Sequence, residues 1–327
     1  MNMKKVLGLG NALVDIMTQL DTDDFLKRYK LQKGSMQLVD QEFSTGVLEG
    51  AAHLRRELAS GGSAANTIHG LSRLGVPCSF IGTVGKDDYG RFFREDMEKA
   101  GIRPTLYEGQ AATGRAIALV SPDSQRTFAT FLGAAIELSA KDLQASHFEG
   151  YDYFHIEGYL VQNYDLVERA IELAGKAGAV ISLDLASYNV VEQHLDFLKK
   201  IISKGVGIVF ANEEEAHAFT GLNAEDALHL IGGMTKIAVV KTGEKGSLIK
   251  SGDDLFRIEA VAARCIDTTG AGDLYASGFL YGLANNLELP LCGKAGSLLA
   301  GQVIEGIGAK IPDDRWENIR SAIRQLV

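Results

Sequence analysis

The sequence of 327 residues is poor in cysteine and has no long apolar run. Its three cysteines, Cys78, Cys265 and Cys292, lie far apart, and neither Cys-x-x-Cys nor His-Glu-x-x-His occurs. These absences argue against a zinc site and a disulfide framework, and reduced thiols suit a cytoplasmic location. No segment has the roughly 18 consecutive apolar residues of a membrane-spanning helix, and no signal-peptide pattern follows Met1. The sequence therefore predicts neither secretion nor a membrane partner.

Long blocks of basic residues are also missing, and the net charge at pH 7 is −9, which argues against a nucleic-acid partner. The P-loop motif does not occur, and neither do the His-Arg-Asp and Asp-Phe-Gly motifs of protein kinases. Leu13 stands where the dinucleotide fingerprint starting at Gly8 needs its third glycine, and Ala65 breaks the hydrolase motif around Ser63. An acidic chain can still bind ATP, because local amides and a metal ion supply positive charge.

Hydrophobic residues make up 46% of the chain, and short apolar runs alternate with helical patterns. This alternation predicts an α/β fold with a mostly parallel sheet covered on both faces. The predicted strands are Val6–Gly10, Ser79–Val84, Tyr153–Ile156, Val180–Leu185, Ile208–Ala211 and Ile237–Lys241. The predicted helices are Ala64–Leu74, Arg91–Ala100, Asp165–Ala177, Glu213–Thr220, Ala224–Gly232, Gly272–Ala284 and Leu291–Ile304.

Two stretches interrupt this rhythm. Val14–Leu20 and Ser35–Asp40 have an extended pattern, and Gly114–Ser121 with Gln125–Leu132 forms a predicted hairpin around the turn Pro122-Asp123-Ser124. We interpret residues 14–40 and 111–133 as a small β lid on a large domain formed by about 1–13, 41–110 and 134–327. An edge hairpin of the main sheet is the alternative.

The segment Asp267-Thr-Thr-Gly-Ala-Gly-Asp273 precedes an apolar helical pattern. Glycines let a backbone approach an anion closely, and a helix N-terminus offers unpaired amides and partial positive charge. Together they form a phosphate cradle. A carboxylate there suits a base that deprotonates a hydroxyl while the amides hold the phosphoryl group. The alternative is a Gly-rich turn in which Asp273 only favours the helix dipole.

Polar residues elsewhere suit a polyol ligand. Gly61-Gly-Ser-Ala-Ala-Asn66 opens a helix, so its backbone can approach a ligand and Asn66 can donate and accept hydrogen bonds. Asn11 and Asp15 follow the first strand, where a carboxylate could bind two vicinal hydroxyls. Ordinary turn chemistry explains either segment equally well.

Two further segments follow apolar strands, where ligands of parallel sheets bind. Asn212 and Glu215 lie one helical turn apart and could order Mg²⁺ through water, although an N-cap with acids on the helix dipole is the alternative. Lys241-Thr-Gly-Glu-Lys-Gly246 could line a nucleotide pocket or simply form a hairpin turn.

In this order the segments resemble the ribokinase family of carbohydrate kinases, also called the PfkB family, from about Val6 to Ile311. Asp267–Asp273 resembles its C-terminal signature. Gly61–Asn66 with Gly82-Thr-Val-Gly-Lys-Asp-Asp-Tyr-Gly90 resembles its N-terminal signature, and Asn212–Glu215 its Asn-x-x-Glu motif. The resemblance implies a three-layer α/β/α sandwich with a small β-sheet lid, and an ATP- and Mg²⁺-dependent transfer to a sugar or nucleoside.

The resemblance also implies a role for each matching residue. Asp273 would be the catalytic base, with the anion-hole amides supplied by Gly270, Ala271 and Gly272. Glu215 would order Mg²⁺, and the nucleotide would contact Asn212, Thr242, Gly243 and Gly246. The acceptor hydroxyls would be bound by Asn11, Asp15, Gly62 and Asn66. Asp267 and Thr269 would lie near the monovalent cation site, a K⁺ site, that many members carry.

Within the family, Gly10-Asn-Ala-Leu-Val-Asp15 and the lid hairpin resemble adenosine kinases. Glu157, in Ile156-Glu-Gly-Tyr159, is instead similar to an acidic sugar-contacting position of ribokinases. An adenosine-kinase-like enzyme is therefore favoured over a ribokinase- or fructokinase-type sugar kinase. A catalytically silent sensor is the remaining alternative, and the sequence leaves a monomer and a homodimer equally open.

Overall fold

The computed structural model describes residues 3–123 and 125–326, so Ser124 of the predicted turn lies outside the described residues. The described strands are β1 (Val6–Leu9), β2 (Leu13–Gln19), β3 (Met36–Leu38), β4 (Arg56–Gly61), β5 (Cys78–Val84), β6 (Arg103–Glu108), β7 (Gly114–Val120), β8 (Arg126–Phe131), β9 (Tyr153–Glu157), β10 (Val180–Asp184), β11 (Val206–Asn212), β12 (Ile237–Lys241), β13 (Ser247–Ser251) and β14 (Asp254–Ile258). The described helices are α1 (Asp24–Arg28), α2 (Gln41–Gly50), α3 (Ser63–Arg73), α4 (Asp88–Lys99), α5 (Tyr164–Lys176), α6 (Tyr188–Gln193), α7 (Leu195–Gly205), α8 (Glu213–Thr220), α9 (Ala224–Gly232), α10 (Ala271–Ala284), α11 (Leu289–Val303) and α12 (Trp316–Leu326).

The large sheet has the spatial order β14-β13-β12-β11-β10-β9-β1-β5-β6 in the described chain. Its strands run parallel from β12 to β6, and β13 pairs antiparallel with both β12 and β14. Successive side chains of a strand point to opposite faces of the sheet, and both faces are buried here. Along β11, Val209 and Ala211 belong to the same buried cluster as Phe197 of α7, whereas Ile208 and Phe210 belong to the cluster that contains Phe279 of α10. The predicted α/β class with helices on both faces is confirmed.

A second sheet joins β3-β8-β7-β2-β4 in that order. The predicted hairpin forms β7 and β8, and these strands pair with β2 and β3, so the hairpin does not extend the edge of the large sheet. Strand β4 lies outside the predicted lid segments. Its sequence, Arg-Glu-Leu-Ala-Ser-Gly, contains no β-branched residue, so local propensity does not predict a strand. The strand forms because it pairs with β2.

The chain passes from the large sheet to the small one between Leu9 and Leu13, so Asn11 lies where the sheets meet. How the chain divides into a domain and a lid stays a prediction. No helix in the ranges 3–123 and 125–326 is long and apolar enough to cross a membrane.

Candidate active site

Four neighbouring parallel strands end in polar residues. Strands β9, β10, β11 and β12 finish at Glu157, Asp184, Asn212 and Lys241. Asp184 pairs in register with Glu157, and Asn212 with Lys241. The carboxyl ends of parallel strands are where α/β sheets bind ligands, so this row forms one wall of a candidate site.

A cavity of about 1950 Å³ opens beside this row. It is also lined by the small sheet, through Leu38, Phe128 and Thr130, and by the N-terminus of α10. Sites for a single small ligand usually measure roughly 300–1,000 Å³. The cavity is therefore large enough for two ligands side by side.

Asp273 projects from the first turn of α10 into this cavity. Ser63 Oγ donates to its Oδ1 at 2.7 Å, and Asn66 Nδ2 donates to its Oδ2 at 3.0 Å. Burial raises the pKa of Asp273 to about 6, although these two hydrogen bonds oppose the rise. A carboxylate with this pKa is ionised at neutral pH and can still accept a proton.

The backbone before Asp273 has the shape of an anion cradle. Gly270 is left-handed with a φ of 75°, and a Cβ on it would lie 2.6 Å from the Cβ of Ala309, so only glycine fits. Within the described residues, the amides of Gly270 and Gly272 donate to no protein acceptor, whereas Ala271 donates to the carbonyl of Thr268 at 3.2 Å. Two of the three predicted anion-hole amides are thus free, and the third has a long bond.

Glu157 links the row of strand ends to the start of α3. Its Oε1 accepts hydrogen bonds from the backbone amide of Asn11 at 3.0 Å and from Asn11 Nδ2 at 2.7 Å, and its Oε2 accepts from the amide of Ala64 at 2.8 Å. Burial raises the pKa of Glu157 to about 7, against these three bonds. The carboxylate of Glu157 therefore connects the segment that follows β1 with the start of α3.

Asp15 lines the same part of the cavity. No donor within the described residues reaches its carboxylate, and a Cβ on Gly61 would lie 2.2 Å from Asp15 Oδ1. Burial raises the pKa of Asp15, while the ammonium of Lys310 opposes that rise. Gly62 follows with a φ of 99° and leaves no room for a side chain, because a Cβ would lie 2.1 Å from the carbonyl oxygen of Asn11. The carboxylate is thus free to bind a ligand.

Asn212 and Glu215 bond each other as a capping box at the start of α8. Asn212 donates through its amide and Nδ2 to the Glu215 carboxylate at 2.8 and 2.7 Å, and Glu215 N donates back to Asn212 Oδ1 at 2.8 Å. Both residues also line the cavity. Burial raises the pKa of Glu215, Lys241 lowers it and Asp184 raises it further. The capping and ligand-binding interpretations of this motif are therefore compatible.

The segment after β12 is a hairpin loop that faces the cavity through Gly243 and Gly246, and Thr242 is not among the lining residues. Gly246 has a φ of 92°, and a Cβ on it would lie 1.9 Å from the carbonyl oxygen of Ile258. Small residues, from Ala260 to Ala263, line this end of the cavity.

Asp267 and Thr269 are occupied by another side chain. Arg126, from β8 of the small sheet, forms an ion pair with Asp267, and its Nη1 donates to Thr269 Oγ1 at 2.5 Å. Asp267 also accepts from the amides of Thr269 at 2.5 Å and Gly308 at 2.6 Å. The Arg126 guanidinium thus already neutralises Asp267, and these two side chains do not fit K⁺ in this arrangement.

Sequence reasoning missed Ser63, Asp184 and Lys241 as site residues. Asp184 is the last residue but one of the predicted strand Val180–Leu185, and Lys241 ends the predicted strand Ile237–Lys241. A charged residue at the carboxyl end of a strand is a usable signal in a parallel sheet. Ser63 lay inside a recognised motif, but its contact with Asp273 joins residues 210 positions apart. Only the packing of α3 against α10 brings them together.

The chain is similar to known kinases in sequence and in fold. The family model described as pfkB family carbohydrate kinase matches residues 40–316. A solved structure of a probable sugar kinase from Rhizobium etli is 33% identical with a TM-score of 0.88, covering 100% of both chains. An adenosine kinase from Sinorhizobium meliloti is also 33% identical, with a TM-score of 0.87 over 99% of this chain and 100% of that one. Adenosine kinase 2 of Arabidopsis thaliana is 24% identical over 94% of this chain and 96% of the relative.

Proposed function

Because the chain belongs to the pfkB family of carbohydrate kinases, we propose that Asp273 is its catalytic base and that its acceptor is a ribonucleoside. The enzyme transfers a phosphoryl group from ATP to a nucleoside or a sugar. The observation that carries the proposed role is a half-buried carboxylate in the cavity, beside the free amides of Gly270 and Gly272. The carboxylate can accept the proton of the acceptor hydroxyl, and the amides can bind the negative charge of the phosphoryl group during transfer.

In the proposed reaction, the acceptor hydroxyl gives its proton to Asp273 as its oxygen forms a bond to the γ-phosphorus. The bond from that phosphorus to the bridging oxygen breaks, and its electron pair leaves with ADP. The amides of Gly270 and Gly272 hold the charge of the phosphoryl group during transfer. Such transfers depend mainly on positioning and electrostatics, so the enclosing small sheet contributes by excluding water.

Magnesium fits the acids beside this site. Within the described residues no cluster of three metal ligands occurs, whereas Mg²⁺ is usually bound by one or two carboxylates together with substrate phosphates. Glu215 and Asp184 both line the cavity, and the burial that raises the pKa of Glu215 is a charge penalty that a cation would offset. When bound, the ion would neutralise phosphate charge.

Apolar side chains support a nucleoside acceptor. Met36, Leu38 and Ile136 are 53%, 59% and 61% exposed, yet all three line the cavity that also contains Asn11 and Asp15. A ribose would use the polar residues, and a base would cover the apolar ones. A free sugar would offer hydroxyls to the polar and the apolar residues alike and would bury none of the three apolar side chains well.

An acceptor panel with ATP and Mg²⁺ tests this proposal. We expect kcat/KM for adenosine to exceed that for ribose and fructose by at least about 100-fold, the effect of losing roughly 3 kcal/mol of contacts. Equal or better use of ribose or fructose would establish the sugar-kinase alternative. Nucleoside-induced thermal stabilisation with no ADP release from any acceptor would favour the silent sensor.

Replacing Asp15 by alanine is expected to raise the KM of the acceptor by about 10- to 100-fold, since a hydrogen bond to a charged group contributes about 1.5–3 kcal/mol. The KM of ATP should change less than twofold. Asp21→Ala, at an exposed position in the segment after β2, is the control. An unchanged acceptor KM would remove Asp15 from the proposed site.

Because Arg126 already neutralises Asp267, we expect the rate to be independent of K⁺. Initial rates in KCl and in choline chloride at equal ionic strength should agree within twofold. Arg126→Gln removes the guanidinium, so its rate should become stimulated by K⁺. A strong K⁺ requirement of the unaltered enzyme would show that the cation displaces Arg126.

A further inference from the structure

Lys241 is the one cationic residue among the described residues that line the cavity. It is the last residue of β12, and its side chain is 14% exposed. The lining near it is otherwise acidic, through Asp184, Glu215 and Asp273. Among the described lining residues, Lys241 would therefore provide the only side-chain ammonium for a substrate that carries a triphosphate.

The ammonium lies beside the anion cradle. A Cβ built on Gly272 would be 3.0 Å from Lys241 Nζ, so the side chain reaches the first turn of α10. Asp184 Oδ2 accepts a hydrogen bond from Nζ at 2.8 Å and fixes the direction of the side chain. Asp184 is itself held, since its Oδ1 accepts from the amide of Ala186 at 3.0 Å.

Lys241 keeps unused hydrogen-bonding capacity. An ammonium has three donors, and within the described residues only Asp184 accepts from Nζ. A lysine side chain is ordinarily an ammonium at neutral pH. Two of its donors are therefore left for a ligand.

A purely structural ion pair explains this arrangement less well. Buried pairs contribute little net stability, because desolvation offsets their attraction. A purely structural pair would be expected in a dry core, whereas Lys241 lies in the lining of a large cavity. The position next to Gly272 adds a second reason, since the ammonium and the N-terminus of α10 both present positive charge to the same part of the cavity.

We propose that Lys241 is a further catalytic residue that contacts the transferring phosphoryl group of ATP, and that Asp184 is the residue that positions it. This inference rests on the proposed phosphotransfer at Asp273. As the bond to ADP breaks and the bond to the acceptor oxygen forms, the three peripheral phosphoryl oxygens keep their negative charge. Lys241 donates to one of them while Gly270 and Gly272 donate through their amides.

The first test is Lys241→Met, which keeps the length of the side chain and removes the ammonium. We expect kcat to fall about 10²–10³-fold, the range for losing one preorganised donor to a reacting anion. The acceptor KM should change less than threefold. Lys200→Met is the control, because Lys200 forms a half-exposed ion pair with Glu168.

A binding measurement separates contact with the phosphoryl group from a structural role. The unaltered enzyme with acceptor should bind ADP more tightly when aluminium fluoride is added, as this complex imitates the planar group in transfer. Lys241→Met should lose at least tenfold of that tightening and keep its affinity for ADP alone. Full tightening in the variant would overturn the proposal.

The double variant Lys241→Met/Asp184→Asn separates a catalytic loss from misfolding, since it removes both charges of the ion pair. Its melting temperature should lie near that of the unaltered enzyme, and its kcat should fall at least as far as that of Lys241→Met. Asp184→Asn alone should lower kcat less, and Lys241→Arg should recover part of the rate. A folded double variant with normal kcat would refute the role of Lys241, whereas loss of Asp273 as the base would be seen independently in its own variant.

Discussion

Asp273→Asn is expected to lower kcat by about 10²–10⁴-fold, the usual contribution of a general base, while the affinity for ATP stays within twofold. Asparagine has nearly the same shape as aspartate but cannot take the acceptor's proton. The measurement is ADP release in a coupled assay, with ATP affinity obtained by calorimetry. Near-normal turnover would refute the proposed base.

The substitution should be tolerated structurally, so a lost rate can be assigned to chemistry. Asparagine keeps an oxygen to accept from Ser63 Oγ, and its new amide group would face Asn66. Asn66 Oδ1 has no partner within the described residues. A flip of the Asn66 side-chain amide would turn this oxygen towards the new amide group as an acceptor. Asp196→Asn is a matched control, since Asp196 lies in the first turn of α7 and is exposed.

The same group determines the acid limb of the pH profile. Because burial raises the pKa of Asp273 to about 6, the base is protonated and inactive below that pH and ionised above it. In the free enzyme, kcat/KM should fall at least tenfold for each unit of pH below about 6, because Glu157, with a pKa of about 7, is also protonated there. The residual activity of Asp273→Asn should lack this limb. A limb that persists unchanged would assign the titration to another residue.

Glu157→Gln is expected to lower stability and to weaken acceptor binding together. The best orientation of glutamine keeps its oxygen on the two Asn11 donors and turns its amide group towards the amide of Ala64. Two donors then face each other in a buried site. An unsatisfied buried group costs about 1–3 kcal/mol, so we expect the free energy of unfolding to fall by about that amount.

The acceptor KM should rise at least about tenfold in this variant, because Glu157 holds Asn11 and the start of α3 in place, and the energy involved is of the same 1–3 kcal/mol order. The KM of ATP should hardly change. Urea unfolding and kinetics at pH 8, where a carboxyl group of pKa about 7 is ionised, measure both effects. Glu149→Gln, at an exposed position before β9, is the control. Unchanged stability and KM would show that Glu157 is dispensable.

Much of the fold could be predicted because its signals are local. The apolar run Ile208–Ala211 and the helical pattern Glu213–Thr220 carry their periodicity within one segment, and they form β11 and α8. Strand β4 could not be found in this way, since its residues are weak strand formers and its partner β2 lies about forty residues earlier. Pairing energy from the partner strand outweighs local preference there.

The candidate site divides along the same line. The sequence by itself determined the cradle before Asp273, because glycines and a helix start create it within a few residues. Only the tertiary structure decided that Arg126 bonds Thr269 across 143 positions and that Lys241 meets Asp184 across 57. The physical reason is that hydrogen bonds and ion pairs form between groups that lie close together in space. The order of the strands sets that distance, and spacing along the chain does not.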